Sequence, residues 1–222
     1  MFLLPLIVFY EAAALFADHG IGLRTDRVIA YALIQWFVDL FGRMGLWAPA
    51  VVLAAILLAT HAASGERWKI HWRDVAAMSP EAVATAIPLL LMNWLIPLQA
   101  AGGTAPTVVT QAALGVGAGV YEELVFRLVL ISLLVIIGAD VLRLDRKRVA
   151  VAACVTSALL FAAHHHQPIG LEAFSLPRFS FRTMAGLYLA VIFWFRGYGP
   201  AAGCHAAYNV ALVLISAVTG RA

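Results

Sequence analysis

The segment 108–137 constrains this chain more than any other feature: it is apolar except for a few polar groups and three charges, Glu122, Glu123 and Arg127, near its middle. It is longer than the roughly 20 residues a helix needs to cross a bilayer core, and a helix satisfies its own backbone groups there. Further apolar segments lie at 2–17, 28–41, 46–63, 82–100, 149–165, 183–196 and 201–219. Charged residues are only 12 % of the 222 residues and hydrophobic ones 63 %, whereas soluble domains carry about 25 % charged residues. Such a chain cannot clothe a water-facing surface, and it is too apolar to be disordered. The expected fold class is all-α, a polytopic membrane helix bundle of about 7–8 transmembrane helices. The chain reads as a single integral membrane domain over 1–222, with less defined N-terminal helices in 1–107 and a motif-bearing core in 108–219. The run Phe2–Tyr10 has no basic region before it and Glu11 after it, so it reads as a first span rather than a removable signal.

The formal charge of +3 does not point to nucleic acid, because the basic residues are scattered between apolar segments. If all eight segments cross, ten of them (Arg24, Arg27, Arg67, Lys69, Arg73, Arg143, Arg146, Lys147, Arg148 and Arg196) fall on one side and four (Arg43, Arg178, Arg182 and Arg221) on the other. The richer side is then cytoplasmic, with both termini outside. Segment 28–41 carries Gln35 and Asp39 and reads as a partial or interfacial helix. Residues 64–81, with Trp68 and Trp72, read either as an interfacial amphipathic helix or as a loop with tryptophan anchors. Cys154 and Cys204 lie in apolar stretches without a CxxC pair, which fits small buried residues better than a disulfide or zinc site.

Ionisable groups inside an apolar span are costly, about 2.5–3.5 kcal/mol each near the bilayer centre, and point to function unless they pair structurally. Glu123 and Arg127 are four residues apart with the acid first, the favourable order for a helical ion pair. Glu122 points about 100° away and is left for other work. Three histidines, His164, His165 and His166, follow the uncharged stretch 149–163, and Phe161 shares a helix face with His165. His205 and Asn209 are also four apart and can aim two donors at one point, as charge on a carbonyl oxygen requires during acyl transfer. The structural alternatives are a salt-bridge cluster, a histidine-marked membrane boundary and ordinary interhelical hydrogen bonds.

Together, Glu122-Glu123-x-x-x-Arg127, Phe161-x-x-x-His165 and His205-x-x-x-Asn209, in that order on successive apolar segments, resemble the CPBP family. This family comprises CAAX proteases and bacteriocin-processing enzymes and is also called the abortive-infection family. The match covers about residues 115–215. The resemblance implies an intramembrane endopeptidase in which Glu122 and His165 activate a water. It makes His205 and Asn209 the oxyanion-stabilising pair, with Glu123, Arg127 and Phe161 in support. His164 and His166 have no counterpart in it, and the register among the three histidines stays open. No HExxH motif is present, and the resemblance to the CAAX protease branch implies a glutamate-dependent mechanism with no metal cofactor. If zinc is bound, its expected ligands are Glu122, His165 and His205.

The expected partners are membrane lipid and a peptide or prenylated protein substrate, with no nucleic acid. In a bacterium, a bacteriocin leader or another membrane-anchored peptide is a further substrate class. Two other readings use the same residues: a non-catalytic immunity or scaffold protein that binds a peptide, and a transporter with a proton relay. The second lacks the repeated halves usual in transporters. One difficulty concerns depth: by helical rise Glu122 and His165 sit about 24 Å into their spans and His205 only about 12 Å. A shared site therefore requires the turn Gly197–Pro200 to be recessed, or the helices to be kinked or tilted.

Overall fold

The computed structural model describes residues 3–18, 48–65, 72–96, 107–170 and 172–220. Among these residues the chain forms seven helices: α1 Leu4–Asp18, α2 Ala48–Ser64, α3 Trp72–Leu95, α4 Val108–Val141, α5 Arg146–Ala163, α6 Leu176–Arg196 and α7 Tyr198–Thr219. Within the described residues seven of the eight apolar segments overlap helices, and segment 28–41 lies outside the described residues. By length and hydropathy Val75–Leu95, Val108–Val141 and Tyr198–Thr219 are each able to cross a membrane. Trp72 opens α3 rather than belonging to a separate interfacial helix, while Trp68 lies outside the described residues.

Polarity runs from the inside out. Trp94, Phe195 and Val218 are 79, 78 and 87 % exposed, whereas Glu122, Glu123 and Arg127 are 5, 0 and 0 % exposed. In water this would be unstable; in lipid it places apolar side chains against acyl chains and groups the charges where they can satisfy one another. The fold and the sequence composition thus agree on an integral membrane protein. Cys154 and Cys204 are both free thiols.

Local sequence sets the helix ends. Thr107 caps α4 by accepting from the Thr110 amide, and Asp145 caps α5 by accepting from the Arg148 amide. Pro177 sits in the first turn of α6, where its missing N–H costs nothing. Gly197, at φ 85°, ends α6 and begins α7 in a single residue; a side chain there would strain the backbone.

Helix α4 changes winding along its length. It is α-helical to Glu123, π-helical over Leu124–Ile131, and π-helical again over Ile136–Val141. Such segments widen the turn and re-aim side chains, and they gather at functional sites. Here the first begins directly after the two glutamates, and the Phe126 carbonyl within it accepts from the Ser157 hydroxyl of α5 at 2.7 Å.

Three glycines bring α4 against its neighbours. A Cβ on Gly119 would lie 2.5 Å from the Ala206 nitrogen of α7, one on Gly115 2.9 Å from the Asn209 Cβ, and one on Gly117 within 2.2 Å of the Tyr10 ring of α1. Small residues four apart let helix backbones approach closely in a membrane. The pairs 119 with 206 and 115 with 209 run antiparallel, which gives the register of the two helices. That register removes the depth difficulty. Tyr198 opens α7 eight residues, about 12 Å, before the crossing at Ala206, while α4 continues for 22 residues from Gly119 to Val141. The Gly197 turn is therefore recessed, and Tyr198 reaches from it to the Val120 carbonyl at 2.8 Å.

Candidate active site

Glu122 leaves α4 on the side facing the α5–α6 loop and α7. His164 Nε2 is 3.6 Å from its Oε1, His165 Nε2 is 3.9 Å from the same oxygen, and His205 Nε2 is 3.9 Å from Oε2. Three imidazole nitrogens thus face one carboxylate at separations just beyond direct hydrogen bonds, spacing that a bridging water suits.

The tautomers of the first two imidazoles follow from one carbonyl. His164 Nδ1 and His165 Nδ1 lie 2.6 and 2.9 Å from the Phe161 oxygen. A carbonyl only accepts, so both Nδ1 atoms donate to it and both Nε2 atoms are turned to Glu122. Helix α5 ends at Ala163, and the chain leaves it through a turn, so adjacent histidines reach one side instead of diverging by 100°. His166 is different: its ring packs beside Phe174 and Phe179, away from the carboxylate.

Glu123 supports the third imidazole. Its Oε1 takes His205 Nδ1 at 2.8 Å and lies 3.0 Å from Arg127 Nη1, all three side chains being buried. The expected i,i+4 pair of Glu123 and Arg127 is therefore present, and it extends to His205. By accepting from Nδ1, Glu123 sets the orientation of the ring and turns Nε2 to the Glu122 side. Arg127 donates in addition to the Gly186 carbonyl of α6 at 3.1 Å and lies over the Phe161 ring at 4.3 Å. Phe161 is consequently the hub of the site, with its ring against Arg127 and its carbonyl holding two histidines.

Asn209 lines the same cavity as Glu122, His165 and His205. Its amide nitrogen, however, donates to the Gly115 carbonyl at 3.0 Å. One of its N–H groups is thus committed to α4, a consequence of the close helix crossing at Gly115 that residue spacing alone did not reveal.

Of the residues expected at a site, Glu122, His165, His205 and Asn209 border one cavity of about 290 Å³. Glu123 and Arg127 lie behind it, and Phe161 forms part of its wall. Leu89, Leu189, Phe181 and Leu212 make the cavity largely apolar, with a few polar groups converging in it. Sequence reasoning left the histidine register open and did not single out Glu172, Arg178 and Arg182. His164 approaches Glu122 as closely as His165 does, and Glu172, Arg178 and Arg182 also line the cavity. The signal for the second was the acid at 172 followed by basic residues one and two helical turns into α6.

The donor set also bears on metal. One ligand atom each from Glu122, His164 and His165 lies within 4.8 Å of the others. Metal-binding imidazoles commonly donate their second nitrogen to a carbonyl, as both do here. Glu122, His164 and His165 thus form a donor group that could hold a cation.

Among known proteins, a family model described as type II CAAX prenyl endopeptidase Rce1-like matches residues 104–211. That span contains α4 from its start, α5, α6 and most of α7, and so every group of the cavity from Glu122 to Asn209. Searches of the curated proteins and of the solved structures find no match.

Proposed function

We propose that the chain, whose residues 104–211 match the Rce1-like type II CAAX prenyl endopeptidase model, is an intramembrane protease of that kind and cuts its substrate as follows. A water held between Glu122 and His165 is the nucleophile. Glu122 takes its proton, the oxygen attacks the scissile carbonyl, and His165 fixes the attack direction. Charge developing on the carbonyl oxygen is met by the His205 ring, whose orientation Glu123 fixes, and by the second N–H of Asn209. Glu122 then returns the proton to the departing amine, so that the enzyme ends as it began. The substrate is a membrane-associated peptide with an accessible C-terminal segment, of which a prenylated CAAX sequence is the leading example.

The observation that carries this reading is the convergence of Glu122 with the Nε2 atoms of His165 and His205, at 3.9 Å each, on one cavity. A prenylated fluorogenic CAAX peptide tests it, with purified wild type beside Glu122→Gln. Loss of the general base is expected to cost about 10²–10⁴ in rate, in a variant with an unchanged unfolding midpoint. Equal cleavage by the two proteins rejects the assignment.

A second reading rests on the shared Phe161 carbonyl. With both Nδ1 atoms committed, Glu122, His164 and His165 would hold a divalent metal, which would supply Lewis-acid activation of the water. The two readings separate at His164. In the metal-free mechanism His164→Ala keeps substantial activity and chelators have no effect, whereas metal dependence makes His164→Ala as damaging as His165→Ala.

A further inference from the structure

Helix α3 brings one polar side chain to the cavity, and we infer that it binds the backbone of the peptide substrate: the Asn93 amide, anchored by Tyr208, donates to a peptide carbonyl about one to two residues from the scissile bond. This rests on the peptidase reading above and names a contact that its substrate makes. Asn93 and Tyr208 line the same cavity as Glu122 and His205, and Asn93 precedes the matched residues 104–211. The Tyr208 hydroxyl donates to Asn93 Oδ1 at 3.3 Å. That bond occupies the acceptor end of the amide and leaves the donor end, Nδ2 with its two N–H groups. Among the described residues no group accepts from Nδ2. The interhelical bond accounts for Oδ1, and Nδ2 is what Asn93 has left to offer the cavity.

The surrounding walls decide what such a donor is for. Leu89 lies one turn before Asn93 on α3, and Leu189 and Leu212 border the same space. A peptide drawn past these walls loses water from its backbone, and each carbonyl left without a donor weakens binding. Every residue of the peptide carries that carbonyl whatever its side chain. A fixed amide donor therefore holds an extended chain without reading its sequence.

Helix register gives the position. Helices α3 and α7 run side by side in the same direction: a Cβ on Gly199 would lie 3.1 Å from Met78 Cε, and further along Asn93 meets Tyr208. On α7, His205, Tyr208, Asn209 and Leu212 fall on one face, and all four line the cavity. Tyr208 is three residues, about 4.5 Å, beyond His205 along the axis. An extended peptide advances about 3.3 Å per residue, so one whose scissile carbonyl meets His205 presents another carbonyl to Asn93 about one to two residues away.

The test is an ester scan on one reporter peptide. Backbone amides one and two residues to either side of the scissile bond are replaced singly by esters, which accept hydrogen bonds more weakly, and products are assigned by mass spectrometry. With purified full-length wild type, one of these esters is expected to raise KM about three- to tenfold, the range of one hydrogen bond, with kcat held. Asn93→Leu should raise KM for the all-amide peptide by a similar factor and be indifferent to that same ester. A merely structural bond between α3 and α7 gives no such coupling to one position of the substrate. No ester effect in the wild type overturns the inference, as does an ester effect of equal size in Asn93→Leu. Should Asn93→Leu fail to fold, Tyr208→Phe, which releases the anchor of the amide, takes its place under the same criteria. If the wild type cleaves no peptide, the peptidase reading fails separately. Equilibrium binding of the labelled amide and ester peptides to wild type and variant then decides the contact, with loss of the ester effect in the variant upholding it and an unchanged or absent effect overturning it.

Discussion

Gly119→Ala should disable the site while leaving its residues intact. The added methyl would lie 2.5, 2.7 and 2.8 Å from Ala206 nitrogen, Cα and Cβ, so reaching ordinary contact near 3.4 Å displaces one backbone from the other by about 0.6–0.9 Å. Neither obstacle is the far end of a flexible side chain, so the whole crossing must move. His205 adjoins Ala206, and its bond of 2.8 Å to Glu123 is short enough that this displacement breaks it. Overpacking of this kind costs about 1–3 kcal/mol of stability, and a misplacement approaching 1 Å costs up to about a hundredfold in rate. The assay is cleavage of the reporter peptide together with thermal unfolding in detergent. Gly199→Ala is the control: its methyl would meet only the Met78 Cε at 3.1 Å, the end of a flexible chain, and it should stay within about 0.5 kcal/mol of wild type. Wild-type rate and midpoint for Gly119→Ala would falsify the claim that the close crossing positions the imidazole.

Glu123→Gln leaves the buried Arg127 guanidinium without its counter-ion and should destabilise by about 3–5 kcal/mol. Adding Arg127→Met should recover much of that stability in a melting experiment without restoring cleavage, because His205 still lacks its carboxylate. A cysteine pair replacing Glu122 and His205 should be joined by a short bifunctional reagent, and failure to join in a folded variant contradicts their convergence. Outside the spans, burial raises the Glu172 carboxyl, but its hydrogen bond and attraction to Arg182 outweigh that and hold it below the ordinary value of 4.5. Its folded-state pKa is depressed, so its stabilisation is complete above about pH 4.5 and disappears as the pH falls through the lowered value. Acid unfolding followed by circular dichroism should show less dependence on pH in that window for Glu172→Gln.

Much of the site was readable because helical spacing converts directly into facing. Glu123 and Arg127 were paired by four-residue spacing alone, and Glu122 was left over for the same geometric reason. The segments 46–63, 108–137 and 149–165 coincide closely with α2, the apolar part of α4, and α5, since a long run of apolar residues marks a helix directly. Legibility ended where regular helix ended. His164 and His165 face one carboxylate because α5 stops at Ala163, so helical periodicity gave no warning. The Asn209 amide was claimed by Gly115 through a helix crossing whose signal, Gly115-x-x-x-Gly119, lay in view without indicating which partner it would meet. The salt bridge of Glu172 with Arg182 joins a loop to a helix over ten residues, a distance at which neither strand nor helix spacing constrains a pair.

The division of labour between the two glutamates has a consequence for how the protein is made. Glu123 and Arg127 belong to one helix and neutralise each other as soon as that helix forms, so it can leave the insertion machinery without waiting for a neighbour. Glu122 has no such companion: its imidazole neighbours come from His164 and His165, and the last, His205, is synthesised 83 positions later. At about 5–20 residues per second this is an interval of roughly 4–17 s. For about the first half of it no imidazole neighbour of Glu122 yet exists, and until its end His205 is still missing. Completion of the final helix is therefore both the assembly of the reaction centre and the end of that vulnerable period. Chains cut short before Tyr198 should be the ones that membrane quality control removes first.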